Sequence, residues 1–122
     1  MCIRDRSNIN EELEGTNIER INFEYCKMHA TNFHNSNMHC CGYFHCDVSQ
    51  ANFKDTKNTA SGFYFCNMFN AKVTNMELTG GVIKCCEISM LVNFDTVSMS
   101  GLRLEDNNIS DELMGLFYDN AY

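Results

Sequence analysis

Apolar side chains return at every fifth position of this chain, from Leu13 to Ile88. The series runs Leu13, Ile18, Phe23, Met28, Phe33, Met38, Tyr43, Val48, Phe53, Asn58, Phe63, Met68, Val73, Leu78, Ile83 and Ile88, and only Asn58 breaks it. A helix would give a period of 3.6 and a strand a period of 2. The pattern therefore predicts a structure whose building unit is itself five residues long.

Two residues before most of these centres stands a small side chain: Thr16, Cys26, Thr31, Ser36, Cys41, Cys46, Ala51, Thr56, Ser61, Cys66, Ala71, Gly81 and Cys86. Ile21, Met76 and Leu91 are the large exceptions. The residue between is polar, most often asparagine, as at Asn17, Asn22, Asn32, Asn37, Asn52 and Asn67. Small, asparagine, large and two free positions make the signature.

This signature resembles the pentapeptide-repeat family, whose consensus is Ala-Asp/Asn-Leu-X-X; Ala51-Asn52-Phe53-Lys54-Asp55 matches it best. The resemblance covers residues 11 to 106. It implies an all-β fold, a right-handed quadrilateral parallel β-helix of about five coils, with each pentapeptide forming one side of a square. Four sides to a coil imply a second period of twenty, which the sequence contains independently. Cys26, Cys46, Cys66 and Cys86 are spaced by it, and so are Phe23, Tyr43 and Phe63, continued by Ile83. Like side chains at that spacing ladder at about 4.8 Å per layer.

The rule fades at both ends. Residues 1–6, Met-Cys-Ile-Arg-Asp-Arg, resemble a translation of the mosaic end of a sequencing transposon, and a non-native scar is expected there. On that reading the gene is entered partway and further coils are expected before the repeat. Residues 7–15 form a ragged acidic edge, and 16–108 the repeat proper. After Ile88 the phase slips by one, through Phe94, Met99, Leu104 and Ile109, so one extra residue is expected between Ser89 and Asn93. Over 109–122, Ile109, Leu113, Leu116 and Phe117 fall at helical spacing behind Ser110, with Asp111 and Glu112 in the first turn; this predicts a capping helix and tail.

Composition sharpens the picture in three respects. There is no proline, as a continuous backbone ladder requires. Five of the eight cysteines take the small inward slot, which reads as reduced, buried filler rather than a disulfide framework. No apolar run is long enough to span a bilayer, so no membrane contact and a cytoplasmic setting are expected.

Candidate chemistry is sparse. His39, Cys40, Cys41, His45 and Cys46 look like zinc ligands, but a square coil would point them apart. His29, His34 and His39 sit on three successive sides and should diverge as solvated imidazoles. No phosphate loop, nucleophile elbow or metalloprotease motif is present, so neither catalysis nor a cofactor is expected. Asn58, the polar centre, must find a partner inside or loosen its coil. Outward aromatics offer more: Phe44 and Tyr64 should stack on one side, Tyr25 and Phe65 on the adjoining corner with His45 between, and Phe69 just around it.

The first functional expectation is thus a non-enzymatic scaffold that binds another protein through Tyr25, Phe44, Tyr64, Phe65 and Phe69, or a second copy of itself through the end formed by Ile109, Leu113, Leu116 and Phe117. The passage Gly101 to Asn107 into the helix also resembles the ending of quinolone-resistance (Qnr-type) members. That resemblance implies an alternative, mimicry of duplex DNA on DNA gyrase or topoisomerase IV, with no nucleic acid bound directly. A net charge of −7 agrees with mimicry, but its placement does not. Residues 25–104 carry five acids against six bases, and the acidity lies at the two ends.

Overall fold

The computed structural model describes the backbone of residues 2–4 and all of residues 13–120. The chain winds as a right-handed quadrilateral parallel β-helix of about four turns, closed by one helix. The coil count is slightly lower than the sequence suggests; the ladder runs to Asn108, still paired with Glu87, before the chain enters the helix.

One side of the square is a six-stranded parallel sheet: β1 (Cys2–Arg4), β2 (Asn22–Glu24), β3 (Gly42–Phe44), β4 (Gly62–Tyr64), β6 (Val82–Lys84) and β8 (Arg103–Glu105). A second side carries β5 (Ala71–Lys72) paired with β7 (Leu91–Val92). The register steps by twenty, with Phe23 opposite Tyr43 and Tyr43 opposite Phe63. Cys2–Arg4, within the expected scar, run parallel to β2 with Ile3 opposite Phe23, so their backbone belongs to this ladder. Leu13 and Gly15 are already bonded to Asn32 and His34 in the coil above; residues 7–12 of the expected acidic edge lie outside the described residues.

Corners repeat the same chemistry. The amide after the corner closes a tight turn onto the preceding centre, as in Thr31 N–H to Met28 O at 3.2 Å and Ser36 N–H to Phe33 O at 3.0 Å. The residue between adopts a left-handed backbone, which glycine takes without strain and other residues take at a cost of about 1–2 kcal/mol. Gly80 sits at φ +70° and Ala60 at +54°. The frequent asparagine closes its own side of the square, since the side-chain oxygens of Asn32, Asn52 and Asn67 accept the amides of His34, Lys54 and Phe69, each two residues on, at 3.0 to 3.1 Å.

The centres fill the tube. Tyr43 stacks on Phe63 at 4.2 Å and on Phe23 at 5.3 Å, Phe33 stacks on Phe53 at 4.9 Å, and Phe53 meets Tyr43 and Phe63 edge-on. Such pairs contribute about 0.5–1.5 kcal/mol each beyond their buried area. Cys26, Cys46, Cys66 and Cys86 climb one inner corner, all buried. Cys46, Cys66 and Cys86 donate to Phe23, Tyr43 and Phe63 carbonyls at 3.3 Å, while Cys66 N–H donates to Cys86 Sγ. A thiol here is both filler and partner for corner backbone. Asn58 is fully buried, receives the Tyr43 hydroxyl and donates to Thr56 Oγ1 at 3.2 Å, so its coil stays closed.

The phase slip falls slightly later than expected. Register is still twenty at Val92 and becomes twenty-one at Ser98. The extra residue is absorbed by Asn93, left-handed at φ 63°, and a 3-10 turn over Phe94–Thr96 that turns Phe94 inward. Thr96 Oγ1, which accepts Asn75 N–H and donates to Asn93 O, braces the bulge from below. The chain ends in α1 (Asp111–Asn120), whose Leu113 amide donates to Ser110 Oγ as the cap predicts.

Candidate functional site

The outer surface of the six-stranded side and its following corner gathers the aromatics. At the corner the left-handed positions are Tyr25, His45, Phe65 and Cys85, with φ 54° to 55°. This conformation throws their side chains outward one above another. Tyr25 and His45 stack at 4.8 Å with ring planes 2° apart, and His45 and Phe65 at 4.8 Å and 8°. Tyr25 is 50% exposed and Phe65 54%, large values for stacked aromatic rings.

Phe44 and Tyr64 stack beside this column at 5.0 Å, but they are not free side chains waiting for a partner. A Cβ added at Gly42 would lie 2.6 Å from the Phe44 ring, and one at Gly62 would lie 2.3 Å from the Tyr64 ring. Each ring therefore folds back over a glycine of its own strand and covers bare backbone. The sequence places both on a partner surface; the structure gives them a part in the wall itself first. The paired Gly-x-aromatic of Gly42 to Phe44 and Gly62 to Tyr64 is the signal that could have found it.

Phe69 stands on the adjoining side, 42% exposed, away from the corner column. Sequence reasoning overlooked Met90, 54% exposed, whose carbonyl accepts the Asn70 amide from the coil below, next to Phe69. At the far end, Leu113 and Phe117 are buried and Ile109 and Leu116 half-buried, since α1 turns this face onto the last coil. What α1 leaves outward is Tyr118, 59% exposed.

The histidines diverge onto separate sides, but they are bonded rather than merely solvated. His29 pairs with Ser49 at 2.8 Å and His39 with Thr59 at 2.5 Å, each one coil up. His34 bridges Glu14 and Asp55 at 3.3 and 3.2 Å. The zinc-like set is scattered: Cys41 and Cys46 are inside, Cys40 outside, His39 on Thr59 and His45 between two rings. Among the described residues no three histidine, cysteine or acidic side chains gather as metal ligands. Burial pushes the Cys41 thiol up, neighbouring Cys46 and Cys86 hold Cys66 far above the usual thiol range, and burial raises Tyr43 well above an ordinary tyrosine. All three stay protonated at neutral pH, so none of them is a ready nucleophile.

No protein-family model matches the sequence, and no curated protein sequence matches it. Solved structures do match its fold. Rfr23, a pentapeptide repeat protein from the cyanobacterium Cyanothece 51142, superimposes with a TM-score of 0.61 at 10% identity, covering 91% of this chain and 82% of its own. A pentapeptide repeat protein of the Arabidopsis thaliana thylakoid lumen gives 0.44 at 17% identity over 88% and 77%. The plasmid-mediated fluoroquinolone resistance protein QnrB1, trypsin-treated, gives 0.32 at 14% identity over 90% and 71%. At these identities similarity speaks for architecture alone, and on the Rfr23 superposition together with its own five-residue register, the chain is built as a pentapeptide-repeat β-helix.

Proposed function

We propose that this protein is a non-enzymatic β-helical scaffold that binds another protein, and that the contact is made by the corner column Tyr25, His45 and Phe65. The observation that carries this reading is the pair of half-exposed rings stacked rigidly on a solid tube. Their stacking restrains them before any partner arrives, so little side-chain freedom remains to be lost on binding. Phe44 and Tyr64 continue the surface as its floor. Its proposed setting is the cytoplasm, a reading that fits cysteines used as buried apolar filler.

Charge placement favours this reading over mimicry of duplex DNA on a type II topoisomerase. The acids concentrate at the two ends, and Lys84 and Arg103 sit among them on the aromatic side, where Lys84 pairs with Glu105 at 3.8 Å. A phosphate ladder would be imitated by acids spaced along the shaft. A DNA gyrase supercoiling assay separates the two, because mimicry predicts inhibition or quinolone protection and the scaffold reading predicts neither.

The direct test places a photo-crosslinking phenylalanine analogue at Phe65, and in parallel at exposed Lys54 on another side. A defined adduct from position 65 alone, weakened by Tyr25→Ser, is the expected result. Equal adducts from both positions remove the corner from the proposal.

A further inference from the structure

We propose that the open edge of β8, with the groove beside α1, takes an extended peptide as one more parallel strand. This site lies on the same side of the square as the aromatic corner, at its C-terminal end two coils beyond Phe65, and it stands or falls without that reading.

The ladder defines what the edge wants. In coil after coil the left-handed corner residue donates upward: Tyr25 N–H to Phe44 O, His45 to Tyr64, Phe65 to Lys84 and Cys85 to Glu105, all at 2.9 to 3.0 Å. The carbonyl before each strand accepts from above: Ile21 O from Gly42, Cys41 O from Gly62, Ser61 O from Val82 and Gly81 O from Arg103. By the same pattern Asp106 N–H and Leu102 O point to a coil above β8, and among the described residues no strand lies there. A backbone donor and acceptor at parallel-strand spacing are satisfied by extended polypeptide, the basis of recognition by strand addition.

The helix leaves room for it. α1 packs against the 3-10 turn at Phe94–Thr96. Between α1 and β8 lies a groove of about 420 Å³, with Leu102, Leu104, Met114 and Phe117 as its apolar lining and Tyr118 at its rim. An added strand would turn its central side chain into this groove over half-buried Leu104, as Ile83 lies beneath it. Its next residue would stand over Glu105. From below Lys84 pairs with Glu105 at 3.8 Å and Arg103 of the same strand reaches it at 4.0 Å, while Glu105 remains 42% exposed, so a basic residue above can share this carboxylate. The occupant is an extended segment with an apolar residue followed by lysine or arginine.

The probe follows from the register: a fluorescein-labelled peptide copying residues 79–84, Thr-Gly-Gly-Val-Ile-Lys, which would repeat above β8 the pairing that β6 makes below it. Saturable binding by fluorescence anisotropy is expected, with the Asp106 and Leu104 amides gaining hydrogen-exchange protection. Methylating the peptide backbone nitrogens should weaken binding about tenfold or more, since the strand then loses its donors. Glu105→Lys, checked for unchanged circular dichroism, should weaken it severalfold. The proposal is overturned by no anisotropy change up to about 1 mM peptide, the weakest affinity that would count as specific. Equal binding of the methylated peptide overturns it too. A protein that sediments as a dimer, and that the peptide fails to dissociate, assigns the edge to a second copy and likewise overturns it.

Discussion

Across the interior of the tube the Tyr43 hydroxyl donates a hydrogen bond to Asn58 Oδ1 over 3.0 Å, joining two sides of the square through its centre. Neither group meets water. Asn58→Leu removes the acceptor of the Tyr43 hydroxyl and should cost about 1–3 kcal/mol; Tyr43→Phe strands the amide oxygen of Asn58, whose NH2 still bonds Thr56, and should cost a similar amount. The double substitution, with no polar group left unmatched, should cost clearly less than the sum. Urea unfolding of the four proteins measures this coupling, and strict additivity would mean that the bond contributes nothing.

Alkaline pH should unfold the protein in steps that these buried acids set. Tyr43 and Cys41 keep their protons in the folded state above the pH at which the unfolded chain releases them, because burial disfavours their charged forms. Their contribution is therefore whole below the unfolded values and lost as pH rises past them, at about 1.4 kcal/mol per pH unit for each group. The decline should begin at about pH 9 with the Cys41 thiol and steepen at about pH 10 with the tyrosine. Tyr43→Phe should flatten the second segment alone, as read from urea midpoints between about pH 8 and 11.

Gly62 and Gly81 should respond differently to alanine. At Gly62 the new methyl meets the Tyr64 ring, a side chain that can swing away, whereas at Gly81 it meets the Ser61 carbonyl oxygen at 2.6 Å in the neighbouring coil. Gly62→Ala should cost about 1 kcal/mol and be largely rescued by Tyr64→Ser, while Gly81→Ala should cost about 3 kcal/mol with no side-chain rescue. Thermal unfolding of the three variants orders them.

Two substitutions should stabilise. Gly115 lies inside α1 with open space around it, so Gly115→Ala should add about 0.8–1 kcal/mol. Ala60 holds the left-handed corner at φ 54°, and Ala60→Gly should add up to about 1 kcal/mol by relieving it. Combined, the gains should be additive, as sites with no shared partner are. A fall in midpoint for Ala60→Gly would show that the corner bears no strain.

The fold was legible in the sequence wherever one position did one job in every coil. Centres, small inward residues and the twenty-residue columns are all read directly, because a column forces the same choice on each layer. Legibility failed where a residue served its neighbours. Phe44 and Tyr64 are outward rings as the sequence suggests, but nothing in a five-residue rule ties an outward ring to the glycine two positions back that it covers. Asn58 announced a need for a partner, but its partner lies fifteen residues away on another side, a distance set by the closed square rather than by either period. The bulge was placed a little early because periodicity marks that a residue was added, while backbone bonding decides where it is housed.

The register carries an arithmetic for lengthening and shortening the molecule. A splice that removed residues 46–65 would hand Cys66 the seat of Cys46 and Met68 that of Val48, leaving a shorter tube with every wall intact. A cut of the same size across Asn93 would instead misalign one remaining wall against the next by a single residue. Growth in whole turns is therefore open to this chain on one side of Asn93 and closed across it.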